Sequence, residues 1–156
     1  MRFVKAVTAL LLVVCALIAA APARAGEVAV IDVARVIDAS APGKAGQKYV
    51  DNLLASLNAE FERFKQKNAK AKNAAQLTAQ KQAELNAEYG REYDRVSALV
   101  MDALRKCAND WLKVNKKGVT VIVPAGSALA YSAKADVSGE ILKKLNAVTI
   151  DFTARQ

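Results

Sequence analysis

Six basic side chains, Arg63, Lys65, Lys67, Lys70, Lys72 and Lys81, fall between residues 63 and 83 with no acid among them. Acids return at Glu84, Glu88, Glu92 and Asp94, interleaved with Arg91 and Arg95. A run of this kind attracts anions: a phosphate, a lipid headgroup or an acidic polypeptide. It is not a reaction centre. The chain has no histidine, which removes the commonest general base and the commonest metal ligand. Asp32 and Asp38 flank the end of the first apolar run, join no second constellation, and read as turn or surface residues. Gly118, Gly126 and Gly139 fit no dinucleotide-binding spacing. We therefore assign no catalytic residue, no metal ligand and no cofactor, and expect no enzyme. Cys107 lies in an apolar stripe and reads as a small buried hydrophobe.

Four aromatics lie near the basic run: Phe61, Phe64, Tyr89 and Tyr93. They read as packing between helices, or as apolar contacts offered to a bound client. All ten residues sit in a stretch, Gln47 to Lys117, of 71 residues with no proline and one glycine, Gly90. That is too long for an ordinary globular helix and too regular for a loop. Val50, Leu54, Leu57, Phe61, Phe64, Asn68, Ala71 and Ala75 alternate at spacings of four and three, the seam of a helix that packs on another helix. The seam thins after Phe64, restarts at Leu85 and Tyr89, and continues through Tyr93, Val96, Val100, Ala103, Cys107, Trp111 and Val114. Two well-filled stretches around a thin middle predict a helical hairpin with its tip near Asn73 to Thr78. A single continuous helix is the alternative, and would hold its two ends roughly 100 Å apart.

The flanks read as strands. Glu27 to Val33 and Val119 to Val123 are rich in Val and Ile, with Ala128 to Tyr131 and Val148 to Phe152 as a third and fourth strand. Ala34 to Ala39 reads as a helical turn. Ser40-Ala41-Pro42-Gly43 reads as a break before the long helix opens at Lys44 or Gly46, and Gly118 as the stop that ends it. Asp136 is expected to cap a helix over Val137 to Asn146. The fold class is α+β: a β-rich base of residues 26–43 and 118–156 carrying a coiled-coil arm of residues 44–117. So few short strands bury little apolar surface alone, which predicts association through the base, with Val28, Val30, Val121 and Val123 near the shared core.

Export is expected. Arg2 and Lys5 precede the apolar run Ala6 to Ala21, and Ala23-Arg24-Ala25 supplies a small-residue cleavage site, so residues 1–25 read as a signal peptide and Gly26 as the mature start. Removing them takes away three basic residues and no acid, leaving 20 basic against 15 acidic side chains. Cys15 follows Leu12-Val13-Val14, which is not the small residue a lipidation site requires. An exported protein seldom meets nucleic acid, so none is expected as a partner.

The AVIDVARVI segment, the basic arm, GVTVIV, Ser127 to Ser132 and the run Asp136 to Asn146 together resemble the Skp/OmpH family of periplasmic chaperones. The C-terminal segment is the most specific part. The resemblance implies a homotrimer whose bases assemble while three arms enclose a cavity, holding unfolded outer-membrane proteins in the periplasm without ATP. Residues 147–156 extend beyond the family's pattern, and the arm is somewhat short for it. A second reading is an envelope coiled-coil protein whose basic arm binds lipopolysaccharide or anionic lipid and chaperones nothing.

Overall fold

The computed structural model describes residues 26–154; the signal-peptide expectation lies outside the described residues. Strand β1, Glu27–Ile31, leads into helix α1, Val33–Ala39. Asp32 starts that helix by accepting a hydrogen bond from the Arg35 amide at 3.0 Å. Ser40 ends it and opens the next. Its hydroxyl donates to the Ile37 carbonyl at 2.8 Å and accepts from the Gly43 amide at 3.0 Å. The long helix α2, Ala41–Asn68, thus begins three residues earlier than Lys44, because proline is tolerated in a first helical turn and Ser40 already supplies the cap. Gly43 is required there: a Cβ would lie 2.0 Å from the Ile37 carbonyl oxygen.

Helix α3, Ala74–Val114, runs antiparallel to α2, as the cross-contacts show. Lys81 pairs with Glu60, and farther toward the base Tyr49 donates to Glu92. The turn between them spans Ala69 to Asn73, a few residues before the expected tip. Short-range backbone bonds build it, with the Ala71 amide donating to Asn68 and the Ala74 amide to Ala71. Val50, Leu57, Leu85, Val96, Val100, Cys107 and Trp111 of the expected seam are buried, whereas Leu54, Tyr93 and Val114 are exposed and Leu104 replaces Ala103 as the buried position. The helix passes through Gly90 without interruption, and a Cβ at that position would meet nothing within 4 Å. Gly90→Ala is therefore expected to stabilise the arm by ~0.5–1 kcal/mol, read as a higher urea midpoint. A lowered midpoint would show that Gly90 is needed for a bend.

Helix α3 ends at Val114 rather than at Gly118. The Asn115 side chain donates to the Leu112 and Val119 carbonyls and accepts from the Lys117 and Val119 amides, which turns the chain into strand β2, Val119–Pro124. Gly118 supplies the positive φ of 74° within that turn. Strands β1 and β2 pair in parallel, Val28 opposite Val121 and Val30 opposite Val123, a pairing that needs a crossover and finds it in the two long helices. The core below the sheet joins Ala29, Ile31 and Val119 to Val36 of α1, Leu104, Cys107 and Trp111 of α3, and Ile141 and Leu145 of helix α4, Ser138–Leu145.

Two expected strands are not formed. Ala128 to Tyr131 is irregular, because the chain closes on β1 through Asp136 instead, with the Val137 amide donating to the Val30 carbonyl at 2.9 Å. Val148 to Phe152 forms no strand and bends at Phe152; Val148 packs on the base core, and Ile150 and Phe152 pack on the two long helices.

Asp136 links three parts of the base. It accepts from the Ser138 amide at 2.8 Å and from Arg35 at 2.9 Å, while Ser138 Oγ accepts from the Asp32 amide. The bonds from Ser138, followed by the Arg35 charge, hold the Asp136 pKa below its ordinary value. Lys117 and then Trp111 do the same for Glu140. Both carboxylates are more acidic folded than unfolded, so the stability they contribute is present above the ordinary carboxylate range of about 4 and is lost as pH falls through their lowered folded values. The base is thus expected to lose stability on acidification below about pH 4, and Asp136→Asn to flatten that dependence. A pH profile identical in Asp136→Asn and the parent chain would remove Asp136 from the cause.

Candidate functional site

The antiparallel helices bring the basic run to one end of the molecule. Arg63, Lys65 and Lys67 lie on the last turns of α2, Lys70 and Lys72 in the turn itself, and Lys81 on the second turn of α3. The six are not equivalent. Lys81 is half-buried and bonded to Glu60 at 2.6 Å and Glu84 at 3.0 Å, and the bond to Glu60 foremost raises its pKa. It ties the two helices together. Lys65 pairs with Glu62 at 2.7 Å and lies 5.1 Å from the Phe61 ring centre. Arg63 donates to the Ala59 carbonyl of its own helix. Lys67, Lys70 and Lys72 are exposed and make no hydrogen bond or ion pair among the described residues. The tip therefore presents three lysines with no bond to any partner, and at its margin Arg63, held by a carbonyl but paired with no acid, and Lys65, paired with Glu62.

The four aromatics are separated by the fold. Phe61 and Tyr89 face each other across the helix pair around a gap of about 60 Å³ shared with Leu54, Leu57 and Leu85. Phe64, near the end of α2, is partly covered. Tyr93 lies beside Tyr89, with ring centres 6.2 Å apart and planes tilted by 31°, and is 48% exposed. It borders a cleft of about 260 Å³ between α1 and the root of the arm, whose floor is Gly46, Val50, Val96 and Val100. Tyr93 is the aromatic most available to a client.

In the base, Val30 is buried beneath the chain's own Asp136–Val137 segment and Val123 is partly covered. Val28 and Val121, opposite each other in register, are 53% and 47% exposed. Leu129 and Tyr131, expected as strand residues, are exposed as well. A groove of about 700 Å³ opens on the helix side, lined by Ile31, Val33, Leu104, Ala108, Leu112 and Ile122.

One assembly has no counterpart among the expected site residues. Tyr49, Arg95, Glu92 and Phe152 form a connected set at the root of the arm. Glu92 and Arg95 are visible in the sequence only as members of a mixed charge run, and the alternation of Val148, Ile150 and Phe152 by itself reads as a strand. No helix among the described residues is long and apolar enough to cross a membrane. No family model matches the chain, and neither a curated protein nor a solved structure matches it significantly.

Proposed function

We propose that the chain is an ATP-independent periplasmic holdase that binds unfolded outer-membrane proteins and prevents their aggregation on the way to the outer membrane. One observation carries this reading: Lys67, Lys70 and Lys72 stand unpaired at the end of a long two-helix arm, while Lys81 behind them is tied to acids. A charged tip on a long lever draws in an anionic client. The half-exposed Tyr93 and the cleft beside it offer the client apolar contacts. Many weak contacts of this kind hold a chain without fixing its structure, and need no nucleotide to release it. The hairpin is the arm, and the exposed Val28 and Val121 on a two-stranded sheet support assembly of the base, as a homotrimer, with other copies.

The test is to dilute a urea-unfolded outer-membrane β-barrel protein into buffer with the purified chain and follow light scattering. Suppression at a fixed ratio of about three chains per client supports both parts of the reading. Unchanged scattering refutes the holdase. A chain that leaves the barrel protein unprotected yet sediments with lipopolysaccharide or anionic vesicles would be the envelope coiled-coil protein instead, a reading the unpaired tip lysines also favour.

A further inference from the structure

The sheet of the base is finished on one side and open on the other. Beyond β1 the chain itself fills the next place: Asp136 bridges to Val30, and the Val137 amide donates to the Val30 carbonyl. Beyond β2 no strand or bridge stands among the described residues. In a parallel pair only alternate residues of a strand bond to the partner, so β2 keeps main-chain groups that face outward. The returning helix is uneven in the same way. Its Leu104, Cys107 and Trp111 are buried against β1 and α4. The flank of Met101, Ala108 and Leu112, turned away from these on the helix, is only partly covered. With Ile122 and Pro124 of β2 it forms the groove of about 700 Å³, and Arg105 and Asn109 make the groove's rim polar. Since β2 is the outermost strand, no strand closes the groove.

The chain also carries a segment with nothing to bond to. After β2 and the short turn Ala125–Ser127, every residue from Leu129 to Lys134 is exposed. The chain bends at Leu129, and residues 129–131 form no hydrogen bond. Leu129 is fully exposed and Tyr131 nearly half so. Straightening this stretch breaks no bond. It puts Leu129 and Tyr131 on one face and Ala128 and Ala130 on the other, the alternation that reads as a strand in the sequence.

We propose that residues 128–131 of one copy lie along the outer edge of β2 in a second copy, with Leu129 seated in that copy's groove. The occupant is a second copy because every chain carries both parts, the exposed leucine and the uncovered groove. A foreign partner in the groove would leave Leu129 in water. Burial removes on the order of 100 Å² for each large apolar side chain, so a chain that donates its segment and fills its groove covers roughly 400 Å² in this way. That is half of the ~800 Å² per partner of a stable interface. The paired main chains and the exposed sheet face of Val28 and Val121 supply the rest. Leucine and groove are different surfaces, so the contact runs head to tail and closes as a ring. The inference rests on the assembly part of the reading above, with the homotrimer as the ring of three, and not on client capture.

The test is cross-linking between two variants. Leu129→Cys and Ala108→Cys chains are mixed in urea, refolded together and treated with a short bis-maleimide. The mixture is expected to give covalent dimers, while each variant alone gives none, like the parent chain with its buried Cys107. The double variant should link into closed rings. No dimer in the mixture overturns the proposal. So do dimers from Leu129→Cys alone, which would mean that two leucines meet each other, and a double variant that links only within one chain. Leu129→Asp should weaken association at least roughly tenfold, read by light scattering across a concentration series. Its circular dichroism should stay unchanged, because Leu129 touches no core of its own chain. Loss of helical signal overturns the proposal, since the segment would then belong to the fold of the single chain. A parent chain that is monomeric throughout removes both this contact and the homotrimer. An assembly that survives Leu129→Asp removes this contact alone, and assigns the homotrimer to the sheet face of Val28 and Val121.

Discussion

Ile141→Ala is expected to cost the chain ~2–5 kcal/mol of folding stability. Ile141 is fully buried, at 0% exposure, in the cluster that joins both strands to α1, α3 and α4. Truncation there removes apolar contacts and leaves a void that four elements must close at once, so little relaxation is available. A domain of this size holds on the order of 5–15 kcal/mol, and the loss is a large share of it. The same cluster anchors Leu104, Cys107 and Trp111 of the returning helix, so the arm should unfold with the base in one transition. Leu142→Ala, at a partly covered neighbouring position, should cost visibly less. Urea unfolding followed by circular dichroism checks both. A loss below about 1 kcal/mol for Ile141→Ala, or two separated transitions, would mean that the arm is stable without its base.

The arm was legible in the sequence because helix pairing depends on a repeat that survives any choice of partner. Val50, Leu57, Leu85, Val96, Val100, Cys107 and Trp111 keep that repeat, and all are buried. Leu54 keeps it too and is exposed, since two helices cover only a narrow stripe of each other. The position of the tip was less legible. No residue other than glycine takes a positive φ anywhere among the described residues, so the turn at Ala69 to Asn73 needs no glycine to mark it. At the entrance to α2, Pro42 and Gly43 resemble a loop by composition, and only the Ser40 cap explains why they are helical.

The least legible part was the C-terminal segment. Alternation at Val148, Ile150 and Phe152 records that alternate side chains are covered, but not whether a sheet or a pair of helices covers them. The same ambiguity affected Ala128 to Tyr131, where Leu129 is fully exposed. Charge was legible as a run and not as a site. Nothing in the spacing of Lys81 shows that Glu60, 21 positions earlier, will neutralise it once the helices pair. Pairing with acids removes Lys65 and Lys81 from the six candidate cations, and a carbonyl of its own helix holds Arg63, which leaves three that stand free.

Those three define the second large effect. Changing Lys67, Lys70 and Lys72 together to Gln is expected to slow association with an acidic unfolded polypeptide or an anionic vesicle by about tenfold at low salt. At ~0.01 M ionic strength the screening length is about 30 Å, long enough for the tip to act before contact; at 1 M it is about 3 Å, and the two proteins should associate at similar rates. A competing account is structural. Lys65 and Lys67 lie in the last turn of α2, where positive charge stabilises the helix end by ~0.3–1 kcal/mol, so the lysines could serve the fold alone. The two accounts differ in what each variant changes. On the structural account, the triple variant lowers the urea midpoint and leaves association rates and their salt slope as they were. On the capture account, the rate and the salt slope both fall while the midpoint moves little. Lys81→Gln provides the opposite control, because it breaks the bridge to Glu60 and Glu84 without touching the free charges. It should loosen the pairing of the helices and leave the salt dependence of capture near that of the parent chain. Equal salt slopes for the parent and the triple variant would refute capture by the tip.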